Sequence, residues 1–436
     1  MVLNNKKVCA IGIWHLGAVY SACLADAGYQ VIGVDSNADR INKLNQGIPP
    51  IFEPGLHELI ARGIATKRLG YTTNLAQAVQ GANYILITFD TPVDDEDEID
   101  LSEIFDTAER LSGCLENDVT ILVSSQVPVG TCTQIKSIIQ KNNHLVNVDI
   151  AYSPENLRLG QAINCFNKPE RIVVGADNDA TLEAAAAFFS VIEAPILTMN
   201  LRSAEMTKHA LNAFLATAIS FGNEIANICD VVGADGVKVA TALRSEGRIG
   251  NKLPLFPGLG FSGGTLARDL KALKKIANQN NYETFLIDGV LAVNQRQNSI
   301  VARKLERIYG SVKGLAIGIL GLTYKPGTST LRRSAALEII QELVTRGANV
   351  KAYDPKADVN EVHVHVEFEF CPDISTVARN SDALILITEW PEFKELDFEL
   401  IKCIMKKPVF IDTKNLLDNK QMLAKGFIYL GVGRGT

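Results

Sequence analysis

One feature constrains this chain more than any other: a short apolar strand that runs into a glycine turn, a helix and a second strand ended by an acid. Val8 to Ile11 is apolar, Gly12 follows, and a helical pattern continues through Ala18, Ala22, Leu24 and Ala25. A second strand pattern, Gln30 to Val34, stops at Asp35. That order is the βαβ unit of a dinucleotide-binding fold. Its turn reads Gly12-Ile13-Trp14-His15-Leu16-Gly17, where G-x-G-x-x-G is expected. Gly12 permits the tight turn, and Gly17 lets helix and strand approach each other. The middle position is normally glycine, so that backbone can reach a pyrophosphate at the helix N-terminus; here Trp14 stands in it. The functional reading is a dinucleotide site with an altered approach, and the plain reading is a βαβ unit that has lost its ligand. By charge repulsion, Asp35 favours the ribose 2′-hydroxyl of NAD over the 2′-phosphate of NADP. His15 is expected to pack or cap rather than to catalyse.

Further buried-strand candidates are Tyr84–Thr88, Val119–Ser124, Asp149–Tyr152 and Arg171–Val174, separated by helical stretches. A mostly parallel, doubly wound sheet follows. From Ser203 to Val232 the pattern is helical without a proline, long for a globular helix. Two more helical stretches cover Leu266 to Asn278 and Glu283 to Ile308. A second α/β pattern then begins, with strands at Leu315–Leu320, Val350–Tyr353 (ended by Asp354), Asp382–Ile387 and Val409–Ile411, and a helix over Ala335–Thr345. The expected fold class is α/β: two Rossmann-like doubly wound domains, 1–200 and 309–436, joined by a central helical region, 201–308. The long helix in that region suits a homodimer or higher homo-oligomer.

Composition removes several alternatives. Forty-three basic residues against 49 acidic ones give a net charge of −6, so no polybasic field is available for nucleic acid or an anionic membrane. No apolar run approaches the ~20 residues of a membrane span, and the opening Met-Val-Leu-Asn-Asn-Lys-Lys lacks the apolar stretch of a signal peptide. The eight cysteines are scattered singly without a C-x-x-C pair, which argues against zinc and for free thiols in a reducing cytoplasm. The acidic run Asp94 to Asp100 has the look of a metal box but reads as a solvated loop, so no metal is expected.

Ordered segments along the whole chain carry a resemblance. They include Pro50-Ile51-Phe52-Glu53-Pro54-Gly55-Leu56, Thr91-Pro92 with Asp100-Leu101-Ser102, and Val127-Pro128-Val129-Gly130-Thr131. Tyr152-Ser153-Pro154-Glu155-Asn156-Leu157-Arg158, Lys208 with Asn212, and Arg248-Ile249-Gly250 come next. Pro257-Gly258-Leu259-Gly260-Phe261, Gly321-Leu322-Thr323-Tyr324-Lys325-Pro326, Tyr353-Asp354-Pro355 and Thr388-Glu389-Trp390-Pro391 close the set. In these segments the chain resembles the UDP-glucose/GDP-mannose dehydrogenases.

The resemblance implies an NAD-dependent oxidation of a nucleotide sugar, which in that family takes a primary alcohol to a carboxylate by two hydride transfers through a cysteine thioester. It assigns cofactor contacts to Gly12, Ile13, Trp14, Gly17, Asp35, Thr91 and Arg332. Substrate contacts fall on Leu157, Arg158, Arg248 (from a neighbouring subunit), Phe261, Tyr324, Lys325 and Lys414. Lys208 would stabilise the alkoxide, with Asn212 four residues along the same helix face. Asp269 would orient the lysine or a water. Glu155 would hold a water or act as general base if burial tunes it upward.

The departures concern the thioester chemistry and, to a lesser extent, the nucleotide contacts. The cysteine's segment reads Ser262-Gly263-Gly264-Thr265-Leu266-Ala267-Arg268-Asp269, with Thr265 in the nucleophile position. A threonine hydroxyl is a far poorer nucleophile than a thiolate unless a base activates it. Ser125-Gln126, Leu159, Lys414 and Ser329-Thr330 also depart from the family's pattern, whereas Glu155 and Arg332 keep to it. Cys132 and Cys165 lie near motif segments and read as packing residues. Three functions are therefore weighed: a two-electron alcohol dehydrogenase of a UDP-sugar-like substrate, a four-electron UDP-sugar 6-dehydrogenase by a cysteine-independent route, and a non-catalytic nucleotide-sugar binder.

Overall fold

Two parallel sheets organise the chain. The structure is a computed structural model that describes residues 6–91, 99–115, 119–261, 265–331, 334–358 and 367–435. It divides into two compact units, residues 1–210 and 211–436.

The first unit holds eight strands: β1 Lys7–Ile11, β2 Gln30–Val34, β3 Leu69–Thr72, β4 Tyr84–Ile87, β5 Thr120–Val123, β6 Asp149–Tyr152, β7 Ile172–Ala176 and β8 Ile196–Met199. Their spatial order is β3-β2-β1-β4-β5-β6-β7-β8. Every neighbouring pair is parallel except β6–β7, which is antiparallel. Strand residues such as Ile85, Leu86, Ile121 and Leu122 are buried on both faces, as a sheet covered by helices on each side requires. One covering layer contains the helix His15–Asp26, whose residues Leu16 through Ala25 are all buried. The other contains the helices Ser102–Ser112 and Thr131–Asn142, which bury Ile104, Leu111, Ile135 and Ile139.

The helix Leu201–Val232 begins in the first unit and continues into the second, which adds the helices Gly236–Ser245, Leu266–Gln279, Phe285–Asn298 and Ile300–Tyr309. The single helix expected over Glu283 to Ile308 is thus two. Ser299, at φ −84 and ψ 8, leaves the helical geometry. The break re-aims the chain from a mostly open helix to one that buries Ile300, Val301, Ala302 and Leu305. A six-stranded sheet follows: β9 Ala316–Leu320, β10 Asn349–Tyr353, β11 Glu369–Phe370, β12 Ala383–Leu386, β13 Val409–Asp412 and β14 Ile428–Gly431. Its order is β11-β10-β9-β12-β13-β14, all parallel.

Counted from its own first strand, each sheet therefore shows the doubly wound order 3-2-1-4-5-6. The turns agree as well. After β1, the Gly12 N–H donates to the Val34 carbonyl at 2.9 Å; after β9, the Gly321 N–H donates to the Tyr353 carbonyl at 2.8 Å. Both glycines have positive φ, +89 and +91. The layout repeat noted in the sequence is thus a repeat of backbone geometry. Among the described residues no helix is long and apolar enough to cross a membrane.

In the second unit, Lys304 Nζ donates to Asp230 Oδ2 at 2.7 Å, and both side chains are buried. Burial pulls the ammonium's pKa down, and Asp230 holds it partly up. Removing the lysine leaves a buried carboxylate with only the Gly435 N–H among the described residues. Lys304→Met is therefore expected to lower stability by about 3 kcal/mol, read by chemical denaturation; a loss below about 1 kcal/mol would contradict it.

Candidate active site

The dinucleotide turn is built as its glycines require. A Cβ on Gly12 would sit 2.7 Å from the Phe89 ring, and one on Gly17 would collide with the Gly12 carbonyl oxygen. The helix His15–Asp26 starts with no side-chain cap, so its first N–H groups point out of the turn towards any anion placed there. Trp14 does not fill the turn. It is 40% exposed, and the Arg40 guanidinium lies over its ring, 4.9 Å from the centroid. Asp35 is buried at the end of β2, where it accepts from Ile13 N at 3.0 Å, Asn37 N at 2.9 Å and Arg40 Nη1 at 2.7 Å. A cleft beside it is lined by Ile11, Val34, Ser36, Leu75 and Phe89, apolar walls with a polar rim suited to a nucleoside. These residues fit NAD: the helix head is open, the cradle glycines are in place, and the acid ends the second strand.

His15 packs, as expected. Its Nε2 lies 3.1 Å from Glu53 Oε2, and Glu53 also accepts from Gly160 N and Ala162 N, each at 2.8 Å. Thr91 is buried, its hydroxyl donating to the Gln126 carbonyl at 2.8 Å, so it ties the loop after β4 to the loop after β5.

Also in the first unit, the opening turns of the Leu201–Val232 helix are locked down by three of its residues. Glu205 accepts from Gly130 N at 2.6 Å and Cys132 N at 2.9 Å, and His209 bonds the Val127 carbonyl at 2.9 Å. Between them Lys208, 9% exposed, donates to the Glu155 carbonyl at 2.7 Å and lies 3.3 Å from Glu155 Oε1. The other Glu155 oxygen accepts from Leu157 N at 2.8 Å. The result is an ammonium and a carboxylate held in register at the C-terminal end of β6. Leu157 is half-buried against the core, and Arg158 is exposed. Burial and the Glu205 charge push the Cys132 thiol well up, which fits a packing residue.

In the second unit, Asn212 Nδ2 donates to Asp269 Oδ2 in a short contact, and Asp269 is fully buried. Asp269 thus orients Asn212, one turn beyond Lys208 on the same helix. Thr265 is exposed at the head of the Leu266–Gln279 helix, and its side chain caps nothing. Three amides that the sequence reading passed over hold the Pro257–Phe261 loop by its backbone. Asn223 bonds Gly258 N and the Leu259 carbonyl, Asn294 bonds both backbone groups of Phe261, and Gln297 bonds the Gly258 carbonyl. Arg248 is exposed and pairs with Glu246 at 3.1 Å. Tyr324 and Lys325 are exposed after β9, and Lys414, exposed after β13, pairs with Glu389 at 3.1 Å. The C-terminal ends of β9 and β13, with β12 between them, are where an open α/β sheet takes its ligand. Asp354, the counterpart of Asp35, is consumed structurally: it accepts from the backbone N–H groups of Leu322, Thr323, Lys356 and Ala357 and from Trp390 Nε1. Buried as it is, those backbone bonds hold its carboxyl below its ordinary pKa.

Arg332, Pro92, Ser262, Gly263, Gly264 and the acidic stretch Asp94 to Glu98 lie outside the described residues. Asp100 is described and caps the N–H of Ser102.

Two doubly wound sheets, a dinucleotide turn and a buried lysine–carboxylate pair belong to the class of nucleotide-dependent dehydrogenases. Residues 6–193 match the NAD binding domain of the UDP-glucose/GDP-mannose dehydrogenase family, residues 202–296 its central domain and residues 318–419 its UDP binding domain. The chain belongs to the UDP-glucose/GDP-mannose dehydrogenase family, and NAD is its cofactor. It is 38% identical to the UDP-glucose 6-dehydrogenase TuaD of Bacillus subtilis, over 98% of this chain and 93% of that one. It is 35% identical to the UDP-glucose 6-dehydrogenase of Rhizobium meliloti, over 98% and 99%. Among solved structures, the UDP-glucose dehydrogenase of Pyrobaculum islandicum superposes with a TM-score of 0.88 at 28% identity, covering 99% of this chain and 98% of that one.

Because Arg40 already pairs with Asp35, removing the acid costs an acceptor and frees a cation. Asp35→Ala is expected to weaken NAD binding about tenfold and to narrow the gap to NADP, by calorimetric titration of both. Unchanged preference would show that Asp35 does not read the ribose.

Proposed function

We propose that this chain is an NAD-dependent dehydrogenase of a UDP-sugar-like nucleotide sugar that carries out one two-electron oxidation of an alcohol, or its reverse. The observation that carries this reading is Thr265 in the nucleophile position: exposed, with no hydrogen-bond partner for its hydroxyl among the described residues. Without a base to take its proton, that hydroxyl cannot trap an aldehyde as a thiolate would. The chemistry would therefore stop at the aldehyde or ketone.

The dinucleotide supplies the hydride acceptor when bound. Lys208 stabilises the alkoxide that forms as the C–H hydride leaves. Glu155 takes the hydroxyl proton, directly or through a water. Asn212, held by Asp269, gives a neutral donor one helical turn away. Tyr324, Lys325, Lys414, Phe261, Leu157 and Arg158, with Arg248 from a second subunit, bind the nucleotide sugar. Residues 1–200 serve the cofactor, 201–308 dimerisation and catalysis, and 309–436 the nucleotide. Exposed Phe214, Phe221 and Ile228, seven residues apart on the long helix, support a homodimer. Eight free cysteines support a reducing cytoplasm.

A second reading, the four-electron reaction of UDP-glucose to a carboxylate, is favoured by the names of the relatives and needs a nucleophile other than Thr265 or a gem-diol route. The deciding measurement is NADH formed per molecule across a panel of nucleotide sugars, with product mass. One NADH and the loss of two hydrogens is expected; two NADH with a carboxylate would establish the second reading instead. Lys208→Met is expected to lower kcat by about 10²- to 10³-fold while leaving NAD affinity within about twofold.

A further inference from the structure

Glu53 lies in one of the segments that carry the family resemblance, yet the reaction as derived above does not use it. It is 3% exposed, and its carboxylate joins three elements of the first unit. Oε1 accepts from Ala162 N and Oε2 from Gly160 N, each at 2.8 Å, so the end of the loop after β6 engages both oxygens. That clamp is complete without a further partner. His15, the first residue of the helix His15–Asp26, nevertheless turns its ring to the same carboxylate, with Nε2 3.1 Å from Oε2. A carboxylate oxygen only accepts, so the imidazole presents an N–H there.

The loop so clamped is the one that holds Glu155, Leu157 and Arg158. Lys208 ties its start through the Glu155 carbonyl at 2.7 Å, and Glu53 ties its end. Between the ties, Asn156 to Leu159 form neither helix nor strand, and Asn156, Arg158 and Leu159 are exposed. At the far side of the bridge, His15 follows Trp14 in the dinucleotide turn, and the head of its helix is where this fold takes a pyrophosphate. Hydrogen bonds through one buried carboxylate therefore connect the cofactor's anion position with the loop beside the Lys208–Glu155 pair.

We propose that Glu53 is a positioning residue for the reaction: through His15 it sets the Glu155–Gln161 loop in register with the helix head that bears the cofactor, so that dinucleotide binding strengthens nucleotide-sugar binding. The inference rests on Leu157 and Arg158 meeting the nucleotide sugar, as under the proposed function, and not on the number of hydrides transferred. A dinucleotide seated at the helix head immobilises the turn that carries His15. The imidazole then restrains Glu53, and Glu53 restrains Gly160 and Ala162. Part of the ordering of an exposed, irregular loop is thus complete before the sugar arrives. The effect is reciprocal: the sugar raises dinucleotide affinity by the same factor.

The test is calorimetric titration of UDP-glucose into the full chain with and without saturating NADH, which accepts no hydride from an alcohol. Wild type, His15→Phe, His15→Ala, His15→Gln and Glu53→Gln are compared, after NADH titration of each to set saturation and thermal unfolding to check the fold. NADH is expected to tighten UDP-glucose binding about tenfold in the wild type. His15→Phe and His15→Ala leave the clamp on Gly160 and Ala162 in place. Both should bind UDP-glucose without NADH within about twofold of wild type and lose the tightening, whereas a merely structural role would change affinity equally with and without NADH. His15→Gln, whose amide reaches Glu53 as a donor, should keep the tightening. Glu53→Gln, which puts an amide against a backbone N–H, should weaken UDP-glucose binding without NADH as well. Tightening retained by both His15→Phe and His15→Ala, or below about twofold in the wild type, would overturn the proposal. Loss of NADH binding in both would make His15 a cofactor ligand rather than a bridge and would overturn it too. If the wild type binds UDP-glucose under neither condition, the UDP-sugar reading fails and this inference fails with it.

Discussion

A contact between two backbones underlies the first half of this molecule. Gly17 stands where its missing Cβ lets the helix His15–Asp26 press onto the Gly12 carbonyl, and Gly12 takes a positive φ against the Phe89 ring. Any side chain at either position would lift the helix off the sheet. The consequences reach outward: the small residues of that helix bury on every side, Thr88 locks its hydroxyl onto the turn, and the N–H groups at the helix head are left facing the place where a cofactor phosphate belongs. The second sheet repeats the turn at Gly321, whose Cβ would strike Thr388.

Buried charge is where the two halves part. Each second strand ends in an acid that accepts from the turn of the first strand. Asp354 spends both oxygens on its own loops and on Trp390, and becomes architecture. Asp35 has fewer backbone donors and is completed by Arg40, a side chain that can move aside. The same division holds along the long helix, where Glu205 and His209 are spent on closing loops and Lys208, between them, faces a carboxylate. In such settings the structural bonds fix position and the incompletely spent charges are left to meet a ligand.

Much of this was legible beforehand because it is written in local periodicity. β1, β2, β6 and the Ala335–Thr345 helix lie within a residue of their expected bounds, since apolar runs ended by glycine or an acid carry their own limits. β3, β8, β11 and β14 were not foreseen. They are short strands at or near sheet edges; Gly70 interrupts β3 and half of β8 faces outward, so neither shows the fully apolar run of a central strand. The break at Ser299 was hidden for a related reason. Helical periodicity runs through it, and only the change in which face meets the core reveals it.

By itself the sequence determined the doubly wound fold, the dinucleotide turn with its odd tryptophan, the long helix with Lys208 and Asn212 one turn apart, and the substitution at Thr265. These depend on residue type and spacing along one stretch of chain. Only the tertiary structure decided that Arg40 covers Trp14 and completes Asp35, that Asp269 holds Asn212, and that Asn223, Asn294 and Gln297 frame one loop. Those pairings join residues far apart in the chain or on different elements. No local pattern encodes which distant polar group will satisfy which, because that choice is made when the core packs and each buried donor and acceptor must find a partner.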